Sequence, residues 1–239
     1  MQQAGQKGAG APRVAGSPLA VIEAWLAPVE GRRLLDVGCG RGALARHLVA
    51  RGARVCGVDP LGAAVAEARA GVPEAEFLET GAEALPFAAG SFDGAVLLNS
   101  LHHVPLPLMA AALDAVLRVS AGPVLVIEPL AEGPFFEAMR PVEDETDLRA
   151  AAQAAIARHV SEGRAAIVRE HTFDDVRRFP DVDAFLAKIV AVDPGRAAAA
   201  ARLRGAVEAR MAQWGTRDGD GIRLDQPHRA VLLCRPAGL

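Results

Sequence analysis

The sequence predicts an α/β protein built on a mainly parallel sheet, and three observations carry this prediction. Short apolar runs alternate with segments of helical periodicity along most of the chain. A strand, a glycine-rich turn, a helix and a second strand follow one another between Arg33 and Pro60. The chain closes on two apolar segments that are too near each other for a crossover, which indicates antiparallel strands. Since 51% of the 239 residues are hydrophobic, we expect one domain with a full core.

The segment from Arg33 to Pro60 is the most informative stretch of the chain. Its parts in order are a strand at 34–37, glycines at 38, 40 and 42, a helix over 43–50, and a strand at 55–58 followed by Asp59. Glycine has no Cβ, so the backbone can bend sharply and a ligand can come close. The following helix N-terminus suits an anionic group, and an acid about 20 residues further on can bind a ribose. This unit predicts a ligand with a ribose and an anionic group at the switch point of the sheet.

Two classes of ligand fit the glycine turn, and Asp36 distinguishes between them. Gly38, Gly40 and Ala43 satisfy the loose G-x-G-x-x-G/A pattern of dinucleotide binding. S-adenosylmethionine also carries a ribose and a carboxylate. Asp36 lies two residues before the first glycine, where it would repel a pyrophosphate and attract an ammonium and a sulfonium. The charge therefore favours S-adenosylmethionine, with NAD as the alternative.

The sequence resembles the class I S-adenosylmethionine-dependent methyltransferases, in their small-molecule, type 11-like branch. DVGCGRG followed by GVDP is similar to the first two motifs of that family, and the stretch from Gly81 to Val104 to the third and fourth. The resemblance covers roughly residues 19–130. It implies a Rossmann-like, doubly wound sheet of seven strands with an antiparallel last strand, and S-adenosylhomocysteine as the product. The cofactor-binding residues it implies are Asp36, Gly38, Cys39, Gly40, Asp59, Pro60, Gly81, Ala82, Glu83, Asn99, Ser100 and His103.

The other elements are predicted from hydrophobic periodicity and from capping and turn residues. Ser17 and Pro18 predict a helix start, an N-cap followed by proline at the first position. The remaining predictions are helices over 61–70, 106–119, 182–192 and 194–214, a helix after Pro141, and strands at 76–79, 92–98, 124–127, 165–172, 221–224 and 229–234. The last two strands are expected to pair through a connection at 225–228. Residues 1–16 are expected to be a flexible leader before a single domain over 17–239.

Polar residues follow the fourth and fifth strands, at the edge where open α/β sheets bind ligands. Asn99 and Ser100 are expected at the methionine end of the cofactor. A neutral histidine there can take a proton from an acceptor, or it can hold the loop by hydrogen bonds. Glu128 can act as a base or cap a turn. We name His103 and Glu128 as the catalytic candidates.

The segment 132–220 is expected to be a helical insertion between the fifth and sixth strands, forming a lid and an acceptor pocket. The acceptor candidates are Trp25, Arg140, Glu143 and His171. The acids at 143–145 are explained by the helix dipole alone. Since no spacing forces His171 and these acids together, we expect no metal.

Composition limits the partners. The net charge of −3 gives no footprint for a nucleic acid. Three widely separated cysteines suit the cytoplasm, and no apolar run is long enough to span a bilayer. We expect a small-molecule acceptor and leave a homodimer open.

Three other functions remain open at this point. They are a nicotinamide-dependent oxidoreductase, a non-catalytic S-adenosylmethionine-binding protein, and an enzyme that transfers another group from the same cofactor. Binding of NADH would identify the first, and turnover to S-adenosylhomocysteine would separate the last two from methylation.

Overall fold

The computed structural model describes residues 13–236, which form a nine-stranded sheet covered by helices. The strands are β1 (Val14–Gly16), β2 (Arg33–Val37), β3 (Arg54–Asp59), β4 (Glu76–Glu79), β5 (Gly94–Leu98), β6 (Val124–Pro129), β7 (Ala166–Phe179), β8 (Thr216–Asp218) and β9 (Gly221–Cys234). Their order across the sheet is β1-β7-β9-β6-β5-β2-β3-β4, and β8 pairs with β9. β9 is antiparallel to each of its neighbours, and every other pair is parallel.

This topology places a switch point at the centre of the sheet. β2 pairs with β3 on one side and with β5 on the other, so the chain winds outward in both directions from β2. The helices that follow β2 and β5 therefore leave the sheet on different faces, and their connecting loops separate at its carboxyl edge. A ligand crevice is expected at that edge, between the ends of β2 and β5.

Eight α-helices complete the described chain. They are α1 (Pro18–Leu26), α2 (Ala43–Val49), α3 (Gly62–Gly71), α4 (Met109–Val119), α5 (Pro134–Met139), α6 (Thr146–Ser161), α7 (Val182–Val192) and α8 (Ala197–Trp214). Apolar residues of α1, α2 and α3 pack in one core with the sheet, and those of α4 and α6 pack in another. The sheet thus lies between two helical layers. No helix in the described part of the chain is long and apolar enough to cross a membrane.

The structure confirms the predicted fold class, and local signals explain why. The Oγ of Ser17 accepts a hydrogen bond from the Ala20 N–H at 3.1 Å, and Pro18 occupies the first turn of α1. β6 is buried along its whole length, as its continuous apolar run predicts for a strand covered on both faces. The sheet has two short strands more than predicted, β1 and β8.

The predicted closing pair of strands is wrong. Residues 221–234 form the single strand β9, which pairs with β6 over one half and with the 14-residue β7 along its length. The connection at 225–228 contains Pro227, a residue typical of turns. Pro227 lies just beyond the register of β6, which ends where Pro129 faces His228. The missing proline N–H is therefore tolerated there, and the strand continues.

Two boundaries of the predicted domains differ from the structure. Val14–Gly16, within the expected leader, forms β1 beside β7, whereas residues 1–12 lie outside the described part of the chain. The segment 132–220 also contains the sheet strand β7, with α5 and α6 before it and α7 and α8 after it.

The helices around β7 have a separate small core. Three aromatic rings meet there, with centroid distances of 5.2 Å between Phe135 and Phe185, 5.1 Å between Phe179 and Phe185, and 6.1 Å between Phe135 and Phe179. Residues of α5, α7, α8 and β9 pack around these rings. A unit with its own core suits a cover over the carboxyl edge of the sheet, and its role as a lid stays a prediction.

Candidate active site

The glycine turn after β2 has the conformation that the sequence predicts. Gly38 and Gly40 have φ values of +75° and +50°, in the left-handed region that favours glycine. A Cβ on Gly38 would lie 2.4 Å from Cβ of Ser100, whereas nothing lies within 4 Å of one on Gly40. Gly38 therefore lets the ends of β2 and β5 approach each other, and Gly40 faces open space that a ligand can enter.

The Gly38→Ala variant should lose most of its affinity for S-adenosylhomocysteine and melt at a lower temperature. The new methyl group would collide with Ser100, and alanine would also be strained in the left-handed backbone conformation of this position. Gly31→Ala is the matched control, because Gly31 has φ +72° and a Cβ added there would have nothing within 4 Å. Calorimetric titration and thermal melting check both variants. Equal losses in the two would show that backbone strain alone, and not the contact with Ser100, is responsible.

Asp59 ties the glycine turn to the end of β3. Its Oδ2 accepts a hydrogen bond from the Gly40 N–H at 2.9 Å, and its Oδ1 accepts one from the Leu61 N–H at 2.9 Å. The residue is 8% exposed. The carboxylate therefore has a fixed position at the carboxyl edge, where each oxygen keeps a second lone pair for another donor.

Asp36 is a buried acid with an oxygen that has no partner. The residue is 2% exposed, and its Oδ2 has no hydrogen-bond partner among the described residues. Burial is the main cause that raises the pKa of Asp36 to about 7, and the charge of Asp59 acts in the same direction. A backbone hydrogen bond from Ala45 partly opposes this rise. A positive group at this place would stabilise the carboxylate. Burial likewise raises the pKa of the neighbouring Cys39 thiol, which stays neutral.

The residues predicted beside the adenine follow β4 at the same edge. Ala82 is buried in a short 3-10 helix, Ala82–Ala84, and Glu83 is half-buried within it. The Glu83 carboxylate folds back over Gly81, since a Cβ added to Gly81 would lie 2.4 Å from Oε1 of Glu83. Pro60, next to Asp59, is exposed. Contact of these residues with a cofactor stays a prediction.

Asn99 and Ser100 connect the end of β5 to its neighbours. Ser100 Oγ donates a hydrogen bond of 2.7 Å to the Val37 carbonyl, at the end of β2. Asn99 has φ +53°, the one positive φ outside glycine in the described chain. Its side chain lies 3.1 Å from Nε2 of His228, whose pKa is lowered to about 4 by burial and by Arg177. A strained polar residue held by a neutral, buried histidine is typical of a functional site.

Glu128 and His102 form a buried pair behind this loop. Oε1 of Glu128 accepts hydrogen bonds from the N–H groups of Ser100, at 3.0 Å, and Leu101, at 2.8 Å. Oε2 contacts Nδ1 of His102. Because the carboxylate is suited to accept a hydrogen bond from Nδ1–H, a neutral His102 would have its lone pair on Nε2. Glu128 thus positions His102, and the sequence-based preference for His103 missed this partner.

His103 and Glu145 lie beside His102. The His103 side chain is exposed at the cavity rim, and partial desolvation and the neighbouring His102 lower its pKa. Potential ligand atoms of His102, His103 and Glu145 all lie within 4.8 Å of one another. Glu145 is, however, paired with Arg149 at 2.7 Å and Arg196 at 3.3 Å. Burial acts to raise the pKa of Glu145, but Arg149 and His102 lower it overall. A divalent cation would have to compete with two guanidinium groups for this carboxylate.

A cavity of about 130 Å³ opens in front of His102, between the carboxyl edge of the sheet and the helices around β7. Its lining combines apolar side chains with basic ones. The lining residues are Asn99, His102, His103, Pro129, Phe135, Met139, Glu145, Arg149, Arg177, Lys188, Ile189, Val192, Arg196, Gln226 and His228. The cavity adjoins the predicted cofactor edge through Asn99, so a second molecule bound in it would lie next to the cofactor.

The structure does not bring the four predicted acceptor residues to this cavity. Trp25 packs under the guanidinium of Arg169 at 5.3 Å, and the exposed His171 stacks on Phe173 on β7. Arg140 pairs at the surface with Glu137 and Asp144. Glu143 pairs with Arg196, a residue of the cavity wall, and burial raises its pKa. Of the four, Glu143 is thus connected to the cavity through another side chain.

The comparisons with known proteins agree with the geometry. Residues 34–121 match the family model described as a methyltransferase domain. A ubiquinone biosynthesis O-methyltransferase of Paracidovorax citrulli is 41% identical over 88 residues, which are 34% of this chain and 37% of that protein. An uncharacterized methyltransferase of Mycobacterium tuberculosis is 37% identical over 95 residues, 40% of this chain and 38% of that protein. The chain thus spans a little over a third of the length of these relatives.

Two solved structures share the fold over most of the chain. A Bacillus halodurans protein described as a methyltransferase has a TM-score of 0.63 at 18% identity, covering 92% of this chain and 99% of that one. The [4+2]-cyclase SpnF has a TM-score of 0.60 at 20% identity, covering 92% and 80%. The predicted resemblance to methyltransferases is thereby confirmed. Residues 34–121 thus match the methyltransferase family model, and the described chain shares its fold with a solved structure described as a methyltransferase.

Proposed function

We propose that this chain binds S-adenosylmethionine at the glycine turn and transfers its methyl group to a small-molecule acceptor in the adjoining cavity. The observation that carries the proposal is Asp36, a buried carboxylate with an oxygen that has no partner, beside a turn that faces open space at Gly40. A positively charged ligand would satisfy this carboxylate, whereas a pyrophosphate would be repelled by it. The methyltransferase domain match over 34–121 supports the same conclusion.

The residues at the carboxyl edge fit the parts of this cofactor. Asp59 has the second lone pairs to accept hydrogen bonds from a ribose diol, and Glu83 can accept one from the adenine amine. When bound, the cofactor supplies a methyl group on a sulfonium sulfur, and transfer to an acceptor oxygen, nitrogen or carbon leaves a neutral thioether. Asn99, at the end of β5, also lines the cavity.

We assign the proton acceptor to His102. His102 borders the cavity, its Nδ1 is held by Glu128, and its ring is 4.0 Å from that of the exposed His103. An acceptor that loses a proton as the methyl group arrives can give it to Nε2, and Glu128 then stabilises the imidazolium. Glu128 acts on the acceptor through His102 in this scheme. Much of the rate comes from holding two reactants together, for which a cavity that adjoins the cofactor edge is suited.

The fold alone does not decide the reaction, since a [4+2]-cyclase shares it. Formation of a methylated product together with S-adenosylhomocysteine is the measurement that separates methyl transfer from the alternatives. We also infer a cytoplasmic setting, from three cysteines of which Cys39 and Cys56 are buried. The net charge of −3 supports a small-molecule partner over a nucleic acid.

Asp59→Asn tests the proposed cofactor site. The variant keeps one oxygen acceptor and loses the charge, so affinity for S-adenosylmethionine should fall about tenfold to a hundredfold, the value of a charge-assisted hydrogen bond. Calorimetric titration measures this. Glu79→Gln is the matched control, because Glu79 is an exposed acid opposite Asp59 in the register of β3 and β4. NADH should give no fluorescence change with the wild-type protein. Tight NADH binding, or unchanged affinity in Asp59→Asn, would contradict the proposal.

A further inference from the structure

We propose that the acceptor is a ring-sized molecule that carries a hydroxyl group near His102 and an anionic group held by Lys188 and Arg177. This inference rests on the proposed function and names its substrate class. It follows from the size of the cavity, from its apolar walls, and from which of its cations are free to bind a ligand.

The size of the cavity limits what it holds. Its volume of about 130 Å³ is close to the roughly 150 Å³ of a cavity that accommodates one benzene ring. Phe135 and Met139 of α5 and Ile189 of α7 supply apolar wall. A single ring or a compact chain of similar size therefore fits between these side chains, and burial of its apolar surface contributes to binding.

Two of the four cations at the cavity are already paired with carboxylates of the protein. Arg149 bonds Glu145 through Nε at 2.9 Å and Nη2 at 2.7 Å, and its Nη1 donates to the Leu130 carbonyl and to Gln226. Arg196 pairs with Glu143 and Glu145. These two guanidinium groups hold the cavity wall together, so they have little capacity left for a ligand.

Lys188 and Arg177, unlike Arg149 and Arg196, have donor groups that are available to a ligand. Lys188 makes no hydrogen bond or ion pair with any residue between 13 and 236, and it borders the cavity from α7. Arg177, on β7, uses Nε and Nη2 for Asp175, both at 2.9 Å, which leaves Nη1 available. Its guanidinium lies 4.4 Å above the ring of Phe135, so its position is fixed. An anionic group in the cavity would complete the bonding of both cations.

His102 sets a second requirement on the acceptor, which is a group that can give up a proton. Its Nε2 lies 4.0 Å from Oε2 of Glu145, too far for a hydrogen bond, so it can accept a proton from a ligand. A hydroxyl group on a ring fits this requirement, since its proton must leave when the oxygen is methylated. A hydroxyl, an apolar ring and an anionic group together define a hydroxylated aromatic acid or a compound of that shape.

The test uses 3-hydroxybenzoate and 4-hydroxybenzoate as probes, with the corresponding amides as neutral controls. Calorimetric titrations are run on the full chain with and without S-adenosylhomocysteine. We expect at least one acid to bind at least tenfold more tightly than its amide. Lys188→Gln and the double variant with Arg177→Gln should remove this preference, while S-adenosylhomocysteine still binds as in the wild type. Arg202→Gln, which removes the same charge from an exposed position on α8, should keep the preference.

Three results would overturn the inference. The first is equal binding of acids and amides, and the second is no binding of any probe. The third is a loss of S-adenosylhomocysteine binding in Lys188→Gln as large as the loss of acid binding, which would assign this cation to the cofactor. Lys188→Gln alone is informative even if the double variant folds poorly, because Lys188 is exposed. If the acid preference holds but S-adenosylhomocysteine does not bind the wild type, the proposed function fails and the anion site remains.

Discussion

Replacing Asp36 with asparagine should stabilise the cofactor-free protein above pH 7 and weaken its binding of S-adenosylmethionine. Burial raises the pKa of Asp36 from 3.8 to about 7, so the folded state holds a proton that the unfolded state releases. Asparagine has nearly the same shape as the protonated acid and does not titrate. The substitution therefore removes a buried negative charge that only the cofactor is expected to neutralise.

The sign of the pH dependence follows from linkage. A carboxyl whose folded pKa is raised contributes most stability below its unfolded pKa of 3.8, and this contribution is lost as the pH rises to about 7. The full shift corresponds to about 4 kcal/mol, and about 2 kcal/mol of it falls between pH 5 and pH 7. The wild type should thus lose stability over that interval relative to Asp36→Asn, with the difference constant above about pH 8.

Urea unfolding at pH 5, 6, 7 and 8 measures this difference. Asp147→Asn, at an exposed position on α6, is the control and should follow the wild type at every pH. Calorimetric titration at pH 8 measures the binding, which should weaken in Asp36→Asn although the protein itself is more stable. A parallel pH dependence in wild type and Asp36→Asn would show that the acid is not buried as described. Unchanged binding of the cofactor would remove Asp36 from the site.

The cofactor edge could be predicted from the sequence because its determinants are local. Gly38 and Gly40 are next to the strand they follow, and Asp59 ends the following strand, so spacing along the chain already places them together. The structure adds reasons that the sequence does not contain, such as the close approach of Gly38 to Ser100 across two strands. Their contacts with the cofactor remain predictions.

The cavity could not be predicted because its residues come from distant parts of the chain. Lys188 is on α7, Arg177 on β7 and His228 on β9, and none of them has a local motif. The incorrect prediction of a turn at 225–228 made the cavity harder to predict, since it placed Gln226 and His228 in a loop. Both are buried in a continuous strand. Two polar residues flanking a proline resemble a turn until the partner strand β7 is known.

The choice between His102 and His103 shows the same limit. Two adjacent histidines are equivalent in a sequence, and the exposed one is the more accessible to a substrate. Glu128 decides between them, because it is 26 residues further along the chain and contacts His102 from the adjacent strand. The buried histidine with the oriented ring is therefore the base that we propose, and only the tertiary structure distinguishes it from its neighbour.

The Glu128→Gln variant should keep its fold and lose about two to four orders of magnitude in kcat, the usual contribution of general base catalysis. The amide oxygen can still accept the N–H groups of Ser100 and Leu101, so the loop keeps its hydrogen bonds. The amide nitrogen, however, donates to Nδ1 of His102. The proton of the neutral imidazole must then be on Nε2, which removes the lone pair that we propose as the proton acceptor.

Three measurements make this prediction specific to the tautomer of His102. Nitrogen NMR of labelled histidine should show the proton on Nδ1 in the wild type and on Nε2 in Glu128→Gln, and affinity for S-adenosylhomocysteine should not change. His102→Gln should match the loss in kcat, and His103→Gln, at the exposed neighbour, should lose far less. Glu128→Ala should unfold more easily, by about 1–3 kcal/mol for each buried N–H left without a partner. If His103→Gln is the inactive variant and Glu128→Gln keeps the wild-type kcat, the proton passes to His103, and Glu128 only closes the loop after β5.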